Sequence, residues 1–229
     1  PATKKAFDRL INLGEEKKRI YLVGAPQLDD INYKKIKNEK NIKIGKININ
    51  LKEKFLVILQ HPVFKDQDKY KKIFNETLKA CEKFKIKKYI IYPNYDPGYH
   101  LIIKNLRKIK DKNFHIFKNL DRDSFLTLVA HSQCLIGNSS AGLLESPSLK
   151  VGAVNIGDRQ NFREKCSNVF NAKYNSKDIV IKIQKAINAK SKFSNIKNIH
   201  GDGKSSMRIY KILKKLKLTK SLLNKNTTY

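Results

Sequence analysis

The chain has 229 residues, 49 Lys or Arg against 20 Asp or Glu, a formal net charge of +29 and 40% hydrophobic residues. That apolar share supports a buried core and excludes the disordered class, and no apolar run reaches the ~20 residues of a bilayer-spanning helix. The excess charge is mostly Lys spread along every predicted helix, whereas a nucleic-acid surface would group Arg with exposed aromatics, so neither nucleic acid nor membrane is an expected partner.

The first residues, PATKKAFDRL, contain no signal-peptide core, which points to a cytoplasmic protein. The chain opens on Pro1 and runs straight into helix-forming sequence, so further sequence is expected upstream. Residues 3–13 carry helical spacing through Ala6, Leu10 and Ile11, with Gly14 suited to the C-cap. RIYLV at 19–23 reads as a short strand closed by Gly24, and Pro26 with Asp29 and Asp30 begins a connection. Residues 32–54 weaken to Lys, Asn and Ile, with strand-like alternation at 42–49, and read as a linker and lead-in helix.

From Phe55 the pattern becomes regular. The continuously apolar run 55–59 is a buried strand of the parallel type, followed by His61-Pro62 and a Lys-rich helix over about 68–84. A strand at 89–92 leads into Pro93-Asn94-Tyr95-Asp96-Pro97-Gly98 and a helix through Leu101, Ile102 and Leu106. A strand at 114–117 precedes a helix capped by Asp121 or Asp123. Next come a strand at 134–136, the turn Gly137-Asn138-Ser139-Ser140, a helical run over about 141–149 and a strand at 151–156. A helix at 176–188, the turn GDGKS at 201–205 and a last helix at 206–218, capped by Ser205 and Ser206, end in a polar tail from Thr219. Strands alternating with helices at this spacing mean βαβ units with right-handed crossovers. The expected fold is α/β, a Rossmann-like doubly wound parallel sheet.

In such a sheet ligands bind beyond the carboxyl ends of the strands. GNSS after a strand leaves backbone N–H groups and hydroxyls aimed at one spot, which suits a phosphate, although a bare GNSS also suits an ordinary cap. Glu145 follows within the same helical run and can accept from ligand hydroxyls, while Asp158, Arg159, Gln160 and Arg163 crowd the next loop with charge-assisted donors. His61 and the Asn94–Asp96 turn also follow strands directly. GDGKS is not a P-loop, because GxxxxGKS needs Gly where Asn198 stands. Cys81, Cys134 and Cys166 are far apart and form no CxxC, so they read as free buried thiols. No pair of His, Cys, Asp or Glu has metal-ligand spacing.

GNSSAGLLESPSLKVGAVNIGDRQNFR at 137–163 resembles the signature of the UDP-N-acetylglucosamine 2-epimerase family, specifically its hydrolysing branch. That branch has a GNSSSG-like segment, a Glu on the following helix, a P-S pair and an N-I-G-x-R-Q loop. The chain departs from it at Lys150 and Gly152, where the family usually has Gly and Pro, and at Phe162, where it has Gly. The resemblance implies one half of a two-domain architecture of the glycosyltransferase-B type. Residues 1–31 would end an upstream domain, 32–54 link, 55–203 form the UDP-binding domain, and 204–229 form the C-terminal helix and tail. It implies UDP-sugar contacts through Asn94, Asp96, Asn138, Ser139, Ser140, Glu145, Arg159, Gln160 and Arg163. Ser139 and Ser140 would hold phosphate, Glu145 the ribose hydroxyls, and Arg159 the diphosphate, with His61 the potential catalytic participant. No cofactor and no metal are implied. The implied reaction eliminates UDP to a glycal, then adds water with inversion at carbon 2, giving an N-acetylmannosamine-type sugar for sialic or legionaminic acid synthesis. The key carboxylates would belong to the upstream domain, so the isolated chain is expected to be inactive. A non-catalytic UDP-sugar-binding module and a glycosyltransferase half are the alternatives, and a homo-oligomer is left open.

Overall fold

The computed structural model describes residues 1–63 and 67–224, so the last part of the expected polar tail, 225–229, lies outside the described residues. In chain order the elements are α1 (Lys4–Asn12), α2 (Tyr33–Asn38), β1 (Asn41–Ile44), β2 (Ile47–Asn50), β3 (Phe55–Leu59), α3 (Gln67–Glu82), β4 (Lys87–Ile91), α4 (Tyr99–Leu106), β5 (Phe114–Phe117), α5 (Arg122–His131), β6 (Cys134–Gly137), α6 (Ala141–Leu144), β7 (Gly152–Ile156), β8 (Val169–Ala172), α7 (Ser176–Asn188), α8 (Ser205–Lys215) and α9 (Lys220–Leu223). They fall into two compact units, residues 1–31 with those from 197 on, and residues 32–196.

In the first unit Thr3 caps α1, its hydroxyl accepting from Ala6 N at 3.1 Å. The expected strand at 19–23 does not form: Arg19 ends a 3-10 turn, and among the described residues the stretch after it has no place in a sheet. Its Val23 N–H goes to Pro1 O, and Tyr21 and Leu22 remain exposed. An apolar run states a preference, whereas a strand also needs a neighbour to pair with. The expected serine caps on the last helix are likewise replaced. Ser205 and Ser206 are the first residues of α8, and their N–H groups donate to the Asp29 carboxylate, at 2.9 Å for Ser205. Asp29 thus supplies from 176 residues away the acceptors that open helix ends require.

The second unit is built on six described strands, all parallel, in the order β5-β4-β3-β6-β7-β8. The chain enters the sheet at its centre with β3, winds outward to β5, returns to β6 and winds outward again to β8. β3 and β6 are neighbours wound in opposite directions, which makes the crevice beyond their carboxyl ends the switch point of the fold. β3 and β7 are buried along their whole length, as continuously apolar sequence in a sheet covered on both faces requires. Leu56, Ile58, Phe74, Ile90, Ile136 and Ile179 join one core cluster, each burial worth about 1.5–3 kcal/mol. Cys81 and Cys134 are buried free thiols. Residues 41–50 form the antiparallel hairpin β1–β2. The edge strand β8 was not apparent in the sequence, because VFNA is short and only its Ala172 is fully buried.

The helical run expected over 141–149 stops early, since α6 ends at Leu144 and turns carry the chain to Lys150. Pro147 explains this: it lacks the N–H that would continue the helix, and its ring opposes the preceding turn. The turn closes at Lys150 with φ 57°, and the loop after β7 contains Phe162 with φ 67°. These are two of the positions where Gly is usual in the resembling segment, and here L-residues hold the left-handed backbone at a cost of about 1–2 kcal/mol. Phe162 is 90% exposed, so it contributes no packing that would offset this. Phe162→Gly is expected to stabilise the chain by about 0.5–1 kcal/mol after the added unfolded-state entropy, read as a higher denaturation midpoint.

α3 and α7 are joined by Glu76, whose carboxylate accepts from Ser176 N at 2.9 Å and from Lys79 Nζ at 3.0 Å. Those bonds, the Ser176 amide first, hold its pKa down from 4.5 to about 2. A carboxyl depressed on folding stabilises the native state above its unfolded pKa and loses that contribution as pH falls toward the folded one. Thermal denaturation between pH 4.5 and 2 should therefore show a steeper acid loss for the natural chain than for Glu76→Gln, which keeps an acceptor oxygen but no ionisation.

Candidate functional site

The site lies at the carboxyl ends of β3, β4, β6 and β7, and the side chain of Asn138 joins them. Asn138 is fully buried. Its Oδ1 accepts from His61 N at 2.7 Å and its Nδ2 donates to His61 O at 2.9 Å. One amide therefore satisfies both main-chain polar groups of the residue just beyond β3, across the switch point. The Asn138 carbonyl accepts in turn from Gln160 Nε2 at 2.8 Å and Arg159 Nη1 at 3.2 Å, which ties in the loop after β7. Gly137 makes the approach possible: it holds φ 136°, and a Cβ there would lie 2.0 Å from Leu59 O.

The loop after β4 joins through the ring of His61, whose Nδ1 accepts from Asn94 N at 3.1 Å. Asn94 Nδ2 bonds Asp96 at 2.7 Å, and Asp96 stands 3.9 Å from Arg159. The Tyr70 hydroxyl donates to His61 O, and burial pushes that phenol well above its usual pKa. His61 is pushed the other way, below 6.5, by burial first and by the Arg159 charge second. The loop carrying Arg159 is braced at its base, where the Tyr174 hydroxyl donates to Asp158 at 2.6 Å. Burial and that bond raise Tyr174 to about 12, so it remains a donor at any ordinary pH. Gly157, at φ 75°, leaves room for the Tyr174 ring, whose Cζ would be 1.9 Å from a Cβ there.

The sequence-derived residues are distributed as follows. His61, Asn94, Asp96, Asn138, Arg159 and Gln160 form one hydrogen-bonded and ion-paired group. Within it Asn138 and Gln160 are buried and committed to main-chain groups, while Asn94 is exposed. Ser139 and Ser140 follow Asn138 directly; the Ser139 hydroxyl accepts from Ala141 N at 3.3 Å, and Ser140 makes no side-chain cap. With only four residues in α6 the helix dipole is small, so an anion here would rely on local N–H groups and hydroxyls. Glu145 is 9% exposed and meets Arg122 Nη1 at 3.6 Å. Arg163 is exposed in the loop that carries Arg159. Arg122 and Tyr174 were not found from the sequence. Arg122 is the first residue of α5, behind the Asp121 cap, and no local pattern marks a partner 23 positions away. The group offers a cation, a half-buried imidazole and paired hydroxyls around one crevice, an arrangement suited to a phosphorylated ligand.

Comparison with known proteins gives the same direction. The family model for UDP-N-acetylglucosamine 2-epimerase matches residues 1–214. The chain is 34% identical to the UDP-N,N'-diacetylbacillosamine 2-epimerase (hydrolyzing) of Legionella pneumophila, over 100% of this chain and 60% of that protein. It is 29% identical to the UDP-N-acetylglucosamine 2-epimerase of Neisseria meningitidis, over 81% of this chain and 48% of that protein. In fold it is similar to the Methanocaldococcus jannaschii UDP-GlcNAc 2-epimerase solved with UDP-GlcNAc and UDP, with a TM-score of 0.71 at 18% identity, covering 93% of this chain and 59% of that one. The Neisseria meningitidis enzyme bound to UDP-GlcNAc gives 0.72 at 18% identity, covering 94% and 60%. The chain thus spans about 60% or less of these relatives' lengths. With a family model matched over most of its length, the chain belongs to the UDP-N-acetylglucosamine 2-epimerase family, on its hydrolysing branch.

Proposed function

We propose that residues 32–196 hold the UDP portion of a UDP-sugar and that the chain takes part in hydrolytic 2-epimerisation once a second domain completes the cleft. The observation that carries this reading is the junction at Asn138, which brings Arg159, His61 and the two serines to the switch point of the sheet. Arg159 neutralises diphosphate charge, Ser139 and Ser140 supply hydroxyls and N–H groups to phosphate, and Glu145, held by Arg122, accepts from the ribose hydroxyls. Asn94 and Asp96 line the diphosphate end, and Arg163 adds positive charge at the rim. In the reaction the proton leaves carbon 2 as the bond from carbon 1 to UDP breaks. Water then adds to the glycal from the face that inverts carbon 2. The sugar is of the N-acetylglucosamine or diacetylbacillosamine class, and its product would feed synthesis of sialic or legionaminic acid. A second domain, ending at residues 1–31, supplies the carboxylates that move the carbon-2 proton.

Titration calorimetry should show UDP binding more tightly than UMP or free N-acetylglucosamine. Arg159→Ala should weaken UDP about ten- to hundredfold, the value of one charged hydrogen-bonding group. Equal affinity for UDP and UMP, together with an unaffected Arg159→Ala, would remove the diphosphate assignment. In a UDP-release assay the chain alone should leave both UDP-N-acetylglucosamine and UDP-diacetylbacillosamine intact. Turnover by the chain alone would place the proton-transfer groups within these residues.

A further inference from the structure

The ring of His61 is held by a group whose role cannot be exchanged. Imidazole protonation is ordinarily assigned by choice among tautomers, but the neighbour of Nδ1 here is the Asn94 backbone N–H, at 3.1 Å. A peptide N–H only donates. Nδ1 must therefore present its lone pair, and the ring proton sits on Nε2. The backbone of His61 is fixed as firmly, by the two Asn138 amide bonds at 2.7 and 2.9 Å and by the Tyr70 hydroxyl.

Charging the ring would put a proton on Nδ1 against the Asn94 N–H and break that bond. The groups acting on the ring are Asn94 and Asp96 from the loop after β4 and Arg159 from the loop after β7, while Tyr70 from α3 and Asn138 after β6 hold its main chain. Arg159 is the cation among them, and Asp96 is the carboxylate. Asp96 is itself engaged by Asn94 Nδ2 at 2.7 Å and lies 3.9 Å from Arg159, so its pull toward an imidazolium is shared. Burial and Arg159 outweigh it. Among the described residues nothing bonds Nε2, which is not sealed from solvent.

We propose that His61 serves as a neutral hydrogen-bond donor, giving its Nε2–H to a phosphate oxygen of the departing UDP, and is not the base that removes the carbon-2 proton. This rests on the UDP-sugar reading above. When the carbon 1–oxygen bond breaks, its electron pair goes to the diphosphate oxygen, while the carbon 2–hydrogen pair becomes the new double bond. The carbon-2 proton goes to a base elsewhere, and the charge gained by the diphosphate is met by Nε2–H and Arg159 without proton transfer. A fixed neutral donor needs no reorganisation as that charge develops, and neutral imidazole is an established electrophile of this type.

Long-range 1H–15N correlation spectra of the 15N-labelled chain test this directly, with the His61 signals identified by their loss in His61→Gln. Protonated Nε2 and unprotonated Nδ1 are expected at about pH 7–8, both free and with UDP, and UDP should shift the Nε2 signal. A proton on Nδ1, or conversion to imidazolium in that range, would overturn the proposal. His61→Gln retains a side-chain N–H donor, so it should bind UDP about tenfold more tightly than His61→Ala, with unchanged pH dependence. Equal losses in the two variants, with a pH-dependent arm that disappears in both, would also overturn it. If UDP did not bind the natural chain at all, the site reading would fail, while the free-state spectra would still decide the tautomer.

Discussion

Everything at this site depends on one side-chain amide satisfying a main chain that the sheet cannot. Where β3 and β6 part at the switch point, ladder hydrogen bonding ends, and without Asn138 the His61 N–H would be left unpaired in a partly buried place and its carbonyl would keep only the Tyr70 hydroxyl. Asn138 takes the position of a missing strand neighbour, one donor and one acceptor set against one acceptor and one donor. Leu has neither group and would leave the buried His61 N–H unmet at about 1–3 kcal/mol, while Asp has no N–H to give and would set an anionic oxygen against the His61 carbonyl. Because Asn138 uses its carbonyl to hold Arg159 and Gln160 as well, the same residue fixes the imidazole and the guanidinium relative to each other. Preorganisation here is a by-product of satisfying buried polar groups.

The electrostatics follow from that geometry more than from the net charge of +29. Most of the Lys excess is solvated surface, where screening leaves individual pairs worth little. The charges that matter are few and held at short range: Arg159 beside Asp96, and Arg122 beside Glu145. Each pairs a potential ligand contact with an opposite charge, so Arg159 and Glu145 are both compensated before a ligand arrives. An anionic ligand would compete with Asp96 for Arg159, which favours ligands with more than one negative charge.

The parallel sheet was legible in the sequence because central strands such as FLVIL must be apolar on both faces and the turns after them carry Gly, Pro and Asn. The grouping of His61, Asn94 and Asn138 was legible for the same topological reason: each follows a strand of one sheet. What was hidden lies in pairings between distant segments. Asp29 reads as part of a connection until α8 places its open end beside it. RIYLV reads as a strand from its own composition, but a strand is defined by its neighbour. β8 was missed because an edge position relaxes the apolar requirement. The four-residue α6 was foreseeable from Pro147, had its missing N–H been given more weight than the helical spacing around it.

Lys150 and Phe162 show how little the turns around the site depend on their own residues. Both adopt a backbone shape that their side chains disfavour. Lys150 stands between α6 and the fully buried β7, and Phe162 lies in a loop held by Gln160 on Asn138 and by Asp158 on Tyr174. The conformation of these turns therefore belongs to the frame around them, and their composition is free to drift. A pattern search demanding Gly at both places would pass over chains that make the same two bends and present the same crevice.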